Sequence, residues 1–141
     1  MKNSLGIYLA GPCFNQEDEG RAWRKKASED IEWAADVTGT LINVVNPLDY
    51  FSYAECKHQN DKQVKQFYLD QIKHCRLVLV NLNNTVTSPG TAQELQYAVD
   101  NNIQIIGFGD KDVYPWLSVD CQVAFETMDQ AIDYIVDYYM E

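Results

Sequence analysis

The stretch "SPGTAQELQYA", residues 88–98, follows the apolar run "RLVLVNL" and sets a carboxylate, Glu94, at the start of a segment whose spacing predicts a helix. Two kinds of work suit a carboxylate there. Thr91 and Glu94 have the spacing of a capping box, in which Thr91 caps the helix and Glu94 reaches back to its first amide. A negative charge also suits the positive end of the helix dipole. The other role is attack on an electrophile. At ~100° per residue, Glu94 falls on the flank of the stripe formed by Ala92, Leu95, Ala98 and Val99, at the border between core and crevice. Either role fits that border.

Two further residues have chemistry to offer. Tyr8, in the strand-like run "LGIYLAG", carries a phenol able to hydrogen-bond a carboxylate, or simply packs as a strand aromatic with its hydroxyl at the rim. Asp70, in "DQIKHC", has the acid–base chemistry for moving a proton. It lies off the stripe of Val64, Phe67, Ile72 and Cys75, so periodicity alone makes it a solvated helix residue.

The elements that must position these groups alternate between strand and helix. Four β-rich runs, 5–11, 40–47, 76–82 and 103–109, are separated by helix-length segments at roughly 16–37, 61–75 and 91–102. The third and fourth runs are almost continuously apolar, as strands covered on both faces are. The tail "TMDQAIDYIVDYYM" repeats apolar residues at helical spacing, and "CQVAF" (121–125) supplies a short fifth strand. This pattern predicts an α/β fold: a doubly wound, flavodoxin-like or Rossmann-like sheet of about five mostly parallel strands flanked by helices. Ligands of such sheets bind beyond the carboxyl ends of the strands, which makes candidates of the loops "AGPCFNQ", "PLDYFSY" and "NNTVTSPGT". None carries the glycine pattern of a dinucleotide fold or a P-loop, so no nucleotide cofactor is expected.

Composition narrows the class. The 141 residues, 46% hydrophobic, suffice for a single domain spanning 1–141 with a real core. The net charge of −10 repels phosphate backbones and anionic lipid, which argues against nucleic-acid or membrane partners. The N-terminus runs directly into a strand without a signal peptide's apolar core, which predicts a cytoplasmic protein. Cys13, Cys56, Cys75 and Cys121 follow no paired spacing and read as free thiols, and His58 and His74 belong to no metal motif. No metal is expected.

The ordered blocks "IYLAGPCFN", "DQIKHCRLVLVNL" and "SPGTAQELQYA" together resemble the nucleoside 2-deoxyribosyltransferase family and its relatives, the deoxynucleoside-monophosphate N-glycosidases, over residues 5 to 108. The resemblance implies that Glu94 is the nucleophile, that Asp70 is the general acid and later base, and that Tyr8 orients the carboxylate. It implies cleavage of the N-glycosidic bond of a 2′-deoxyribonucleoside through a deoxyribosyl–Glu94 ester, with the sugar passed to a second base or to water. Carboxylate attack suits the oxocarbenium character that develops at C1′. Substrate contacts are expected from Gly11, Phe14, Asp49, Ser88, Gly90 and Thr91, with Phe14, Tyr50 and Phe51 offering faces on which a nucleobase stacks. No cofactor is implied. A homo-oligomer whose neighbouring subunit completes the pocket is implied, although the asparagine that the neighbour supplies in the family has only Ser118 as a substitute here.

The substrate stays open between two forms. Transferases of the family carry an acid where this chain has Ser88; the monophosphate N-glycosidases carry a serine there, which spares a 5′-phosphate the repulsion of an anion. The loop "GPCFNQEDEG", acidic and without an arginine-bearing glycine-rich sequence, is instead similar to the transferase version. Transfer is the first expectation and hydrolysis of a nucleoside monophosphate the second. A non-catalytic module that binds nucleosides or nucleotides, with Glu94 merely a cap, is the third.

Overall fold

The computed structural model describes residues 4–12, 20–47, 61–83, 89–109 and 118–140. Phe14, Asp49, Tyr50, Phe51, Ser88, Cys13, Cys56 and His58 lie outside them. The described elements are β1 (Leu5–Ala10), α1 (Arg21–Thr38), β2 (Ile42–Val45), α2 (Asp61–Lys73), β3 (Leu77–Asn81), α3 (Pro89–Asp100), β4 (Gln104–Phe108), β5 (Val123–Phe125) and α4 (Met128–Tyr139). The five strands form one sheet in the order β2-β1-β3-β4-β5, every neighbouring pair parallel. This is the expected doubly wound, flavodoxin-like architecture, with strand order reversing between β1 and β3.

Alternation along each strand divides the core into two layers. Ile7, Leu9, Leu77, Leu79, Ile106 and Phe108 face α1 and α4, where Ala27, Ile31, Ala35, Ile132 and Ile135 close over them. Tyr8, Ala10, Val78, Val80 and Ile105 face the other way, toward Ile72 of α2 and Leu95 and Ala98 of α3. β1 and β3 are covered on both sides, which explains their nearly unbroken apolar sequences.

Local signals fix the helix ends. α1 stops where Gly39 takes the left-handed conformation (φ 72°) and returns its N–H to the last turn. α4 starts on a full capping box between Thr127 and Gln130. The box expected at Thr91 and Glu94 does not form. α3 begins at Pro89, a residue suited to a first helical position, so Thr91 is already its third residue and Glu94 lies beyond the first turn. The two extra residues free the carboxylate from capping. Among the described residues no helix is long and apolar enough to cross a membrane.

Candidate active site

β1 and α3 meet at the topological switch point. Tyr8, fully buried and paired in register with Val78 of β3, points to the α2–α3 side. Its phenol donates a hydrogen bond to Glu94 Oε2 across 86 residues of sequence. Burial and the adjoining carboxylate both push the Tyr8 pKa well above 10, so the phenol remains a donor throughout the neutral range. Glu94 is half-buried as a residue, yet its carboxyl group is tightly enclosed. The accessible part belongs to the stem and rim; desolvation acts on the carboxyl. That burial raises its pKa to about 7, against the opposing pull of the Tyr8 hydrogen bond and of the positive charge on Arg24. A carboxyl so placed is ionised in roughly half of the molecules at neutral pH.

The strand end beside this pair is held by close backbone contacts. A Cβ on Gly11 would stand 3.0 Å from the Trp23 ring and 3.2 Å from Asn81 Cβ, at a φ of 155° that side-chain-bearing residues rarely adopt. Gly11 therefore lets β1, β3 and α1 converge at the carboxyl edge of the sheet. Its expected place at the site is met, through packing of the scaffold. Thr91 is buried on α3 one turn before Glu94, and Gly90 has open space around it.

Asp70 is not brought to the pair. It is exposed on α2 and accepts a hydrogen bond from Gln66 Nε2 at 3.0 Å, an i,i+4 contact on the solvent side. The charged and phenolic groups acting on Glu94 and Tyr8 are each other, Arg24 and Tyr68, without Asp70. The cause is helical phase: two residues turn the helix by ~200°, so Tyr68 faces Tyr8 while Asp70 faces water. Tyr68 donates to the Pro47 carbonyl at 3.1 Å, tying α2 to the end of β2. The stripe periodicity of α2 foretold the exposure of Asp70; the resemblance placed it in the site.

Two residues near the pair escaped the sequence reading, Tyr68 and Arg24. Arg24 had a signal: it occupies the buried stripe of α1 with Ala27, Ile31, Ala34 and Ala35, a charge where apolar residues belong. Trp23, expected in the core or an interface, packs against the α1–α4 layer edge-on to Phe108, whereas Trp33 is exposed. The described cysteines, Cys75 and Cys121, are free, and burial pushes their thiols up to about 11 and about 12, far from reactive thiolates. Among the described residues no group of three His, Cys, Asp or Glu side chains is placed to hold a metal.

Comparison with known proteins gives a family and a fold. The family model described as nucleoside 2-deoxyribosyltransferase matches residues 7–133. No curated protein matches significantly. Among solved structures, a conserved protein from Enterococcus faecalis V583 is similar at 15% identity and a TM-score of 0.76, covering 96% of this chain and 99% of its own. The 2-desoxiribosyltransferase from Leishmania mexicana is similar at 17% identity and a TM-score of 0.71, with coverages of 96% and 99%. A CMP N-glycosidase from Clostridium botulinum is similar at 22% identity and a TM-score of 0.53, again covering 96% and 99%.

Proposed function

The chain belongs to the nucleoside 2-deoxyribosyltransferase family, an assignment that makes it an enzyme of N-glycosidic bonds, and from that premise we propose that it exchanges the base of a 2′-deoxyribonucleoside through an ester of Glu94. Glu94 attacks C1′, the C1′–N bond breaks, and the base leaves with the bonding pair and takes up a proton. A second base then attacks C1′, deprotonates and releases the carboxylate. Tyr8 holds the attacking carboxylate in one orientation and, by donating to its charged form, favours ionisation. The single observation that carries this reading is the Tyr8–Glu94 hydrogen bond at the switch point, on a carboxyl poised near neutrality.

Glu94 is aimed at Tyr8, and its position beyond the first turn of α3 removes the capping role that a plain binding module would give it. Asp70 stays in the proposal as proton donor to the leaving base on one condition: the substrate must reach over the exposed face of α2. Asp70→Asn then lowers turnover while Tyr68→Phe does not; the reverse order transfers the α2 role to Tyr68. Of the substrate contacts, Gly11, Gly90 and Thr91 line the described part of the site, and Phe14, Asp49 and Ser88 complete the proposal from outside it. A homo-oligomer belongs to the same reading, supported by Tyr138, which stands 71% exposed on α4. The enzyme is proposed to act in the cytoplasm.

Transfer stands ahead of hydrolysis because the loop after β1 is acidic and offers no arginine to a phosphate. Ser88 favours the second reading, hydrolysis of a nucleoside 5′-monophosphate by the same nucleophile, an activity printed for the similar Clostridium botulinum enzyme. Incubation with a deoxynucleoside and a different free base separates the two. A new nucleoside supports transfer. Release of sugar only from the 5′-phosphate supports the second reading, and no reaction with either overturns both.

A further inference from the structure

Arg24 is the largest fully buried side chain of the described residues, 1% exposed. Its Nη2 donates to the Gly11 carbonyl at 2.8 Å, with longer contacts of 3.4 Å from Nε to the Leu9 carbonyl and from Nη1 to the Gly20 carbonyl. The guanidinium carbon lies 4.8 Å from the centroid of the Trp23 ring. A Cβ on Gly20 would come within 2.5 Å of Nη1, so the residue opposite the guanidinium has to be small. Residues 11 and 20 bound the loop after β1, and one side chain grips both ends.

A guanidinium does not lose its proton in a protein, and an isolated buried charge is strongly unfavourable. Carbonyl dipoles and an aromatic face offset part of that cost. Among the described residues no carboxylate lies within ion-pairing distance of Arg24. The buried acid that feels its charge is Glu94, and Tyr8 feels it too. We propose that Arg24 is a positioning residue for the nucleophile: from beneath the carboxyl end of β1 its fixed charge balances the ionised form of Glu94. Its bonds to Leu9 and Gly11 also hold the strand end from which Tyr8 grips that carboxylate. The inference rests on the proposed role of Glu94 and adds the source of its charge.

The groups facing Glu94 are few. β1 presents Tyr8, α1 presents Arg24, and α2 presents Tyr68, which acts on Tyr8. Both tyrosines are neutral near pH 7, so Arg24 is the full charge in this set. Replacing it by a neutral side chain must raise the pH at which Glu94 ionises.

The test is the titration of Glu94 in the ligand-free protein, read as the carboxylate infrared band that Glu94→Gln removes. Arg24→Met is expected to move the midpoint upward from about 7 by about one pH unit or more, and Arg24→Lys to restore most of the shift. The acid limb of kcat/KM is expected to move by the same amount. At pH 6.5, kcat is then expected to fall about tenfold or more and to recover in alkali. Should Arg24→Met fail to fold, Arg24→Gln, whose amide can still donate to the Gly11 carbonyl, carries the same comparison. A folded neutral variant whose Glu94 band titrates at the wild-type midpoint overturns the inference. The band needs no substrate, so failure of the proposed reaction and failure of the Arg24 role remain distinguishable.

Discussion

Tyr8 and Leu9 are consecutive residues of β1, both inaccessible to solvent, and their side chains enter different layers. Leu9 joins an apolar layer under α1 and α4 whose described members at the centre are all hydrocarbon or aromatic. Tyr8 enters the layer under α2 and α3, where its hydroxyl meets a buried carboxyl. One layer gains from every group it removes from water; the other holds an acid that water would stabilise better. The difference teaches where stability is made and where it is given up. A half-buried carboxyl with its ionisation displaced to about 7 is a cost to folding at neutral pH, tolerated at the place where the sheet's connectivity opens a crevice.

The contrast can be broken from either side. The largest expected effect is that of Glu94→Gln, which should reduce turnover by at least about a thousandfold while leaving the fold intact. Its stability should be altered in a defined direction. Because burial raises the Glu94 pKa from 4.5 to about 7, the folded state holds its proton more firmly than the unfolded state. The favourable contribution is complete below pH 4.5 and disappears as pH rises through about 7, a loss of order ~3 kcal/mol. Thermal or urea unfolding at pH 4 and pH 8 should show this loss in the wild type and not in Glu94→Gln. Taking the difference between the two proteins removes the general repulsion of a −10 chain.

Leu79→Ala attacks the other layer. Leu79 is fully buried on the α1–α4 side of β3, and its truncation should cost ~2–5 kcal/mol and lower the unfolding midpoint at every pH. Activity per folded molecule should hardly change. A large loss of turnover in a folded Leu79→Ala protein would erase the distinction between the layers. The smallest effect sharpens it: Tyr8→Phe removes one hydroxyl and the bond that favours ionised Glu94. Turnover at pH 7 should drop about ten- to a hundredfold, and the acid limb of the pH profile should move upward, with stability nearly preserved.

Most of the scaffold was legible because it rests on periodicity. The unbroken apolar runs around Leu77–Asn81 and Gln104–Phe108 state that both faces are covered, and strand–helix alternation with right-handed crossovers leaves few topologies. Glu94 and Tyr8 were legible as candidates because three ordered blocks of residues resemble a family; no local pattern joins them across 86 residues. The α3 boundary was misplaced by two residues, since Thr91 and Glu94 mimic a capping box that Pro89 pre-empts. On α2 the two sources of inference disagreed, and helical phase won: Asp70 is at the surface and Tyr68 faces inward. Arg24 was overlooked although a charged residue on a buried stripe is a visible anomaly. Its meaning lies in what the other end of β1 brings near it, which spacing along α1 cannot express.

The account's central claim is that Glu94 bonds covalently to the sugar. Mass spectrometry after mixing the protein with a slow 2′-fluorinated deoxynucleoside tests it most directly. A mass increase equal to the fluorosugar, located by fragmentation on Glu94 and absent from Glu94→Gln, is the predicted result. An adduct on another residue, or steady turnover of the natural deoxynucleoside by Glu94→Gln, would contradict it.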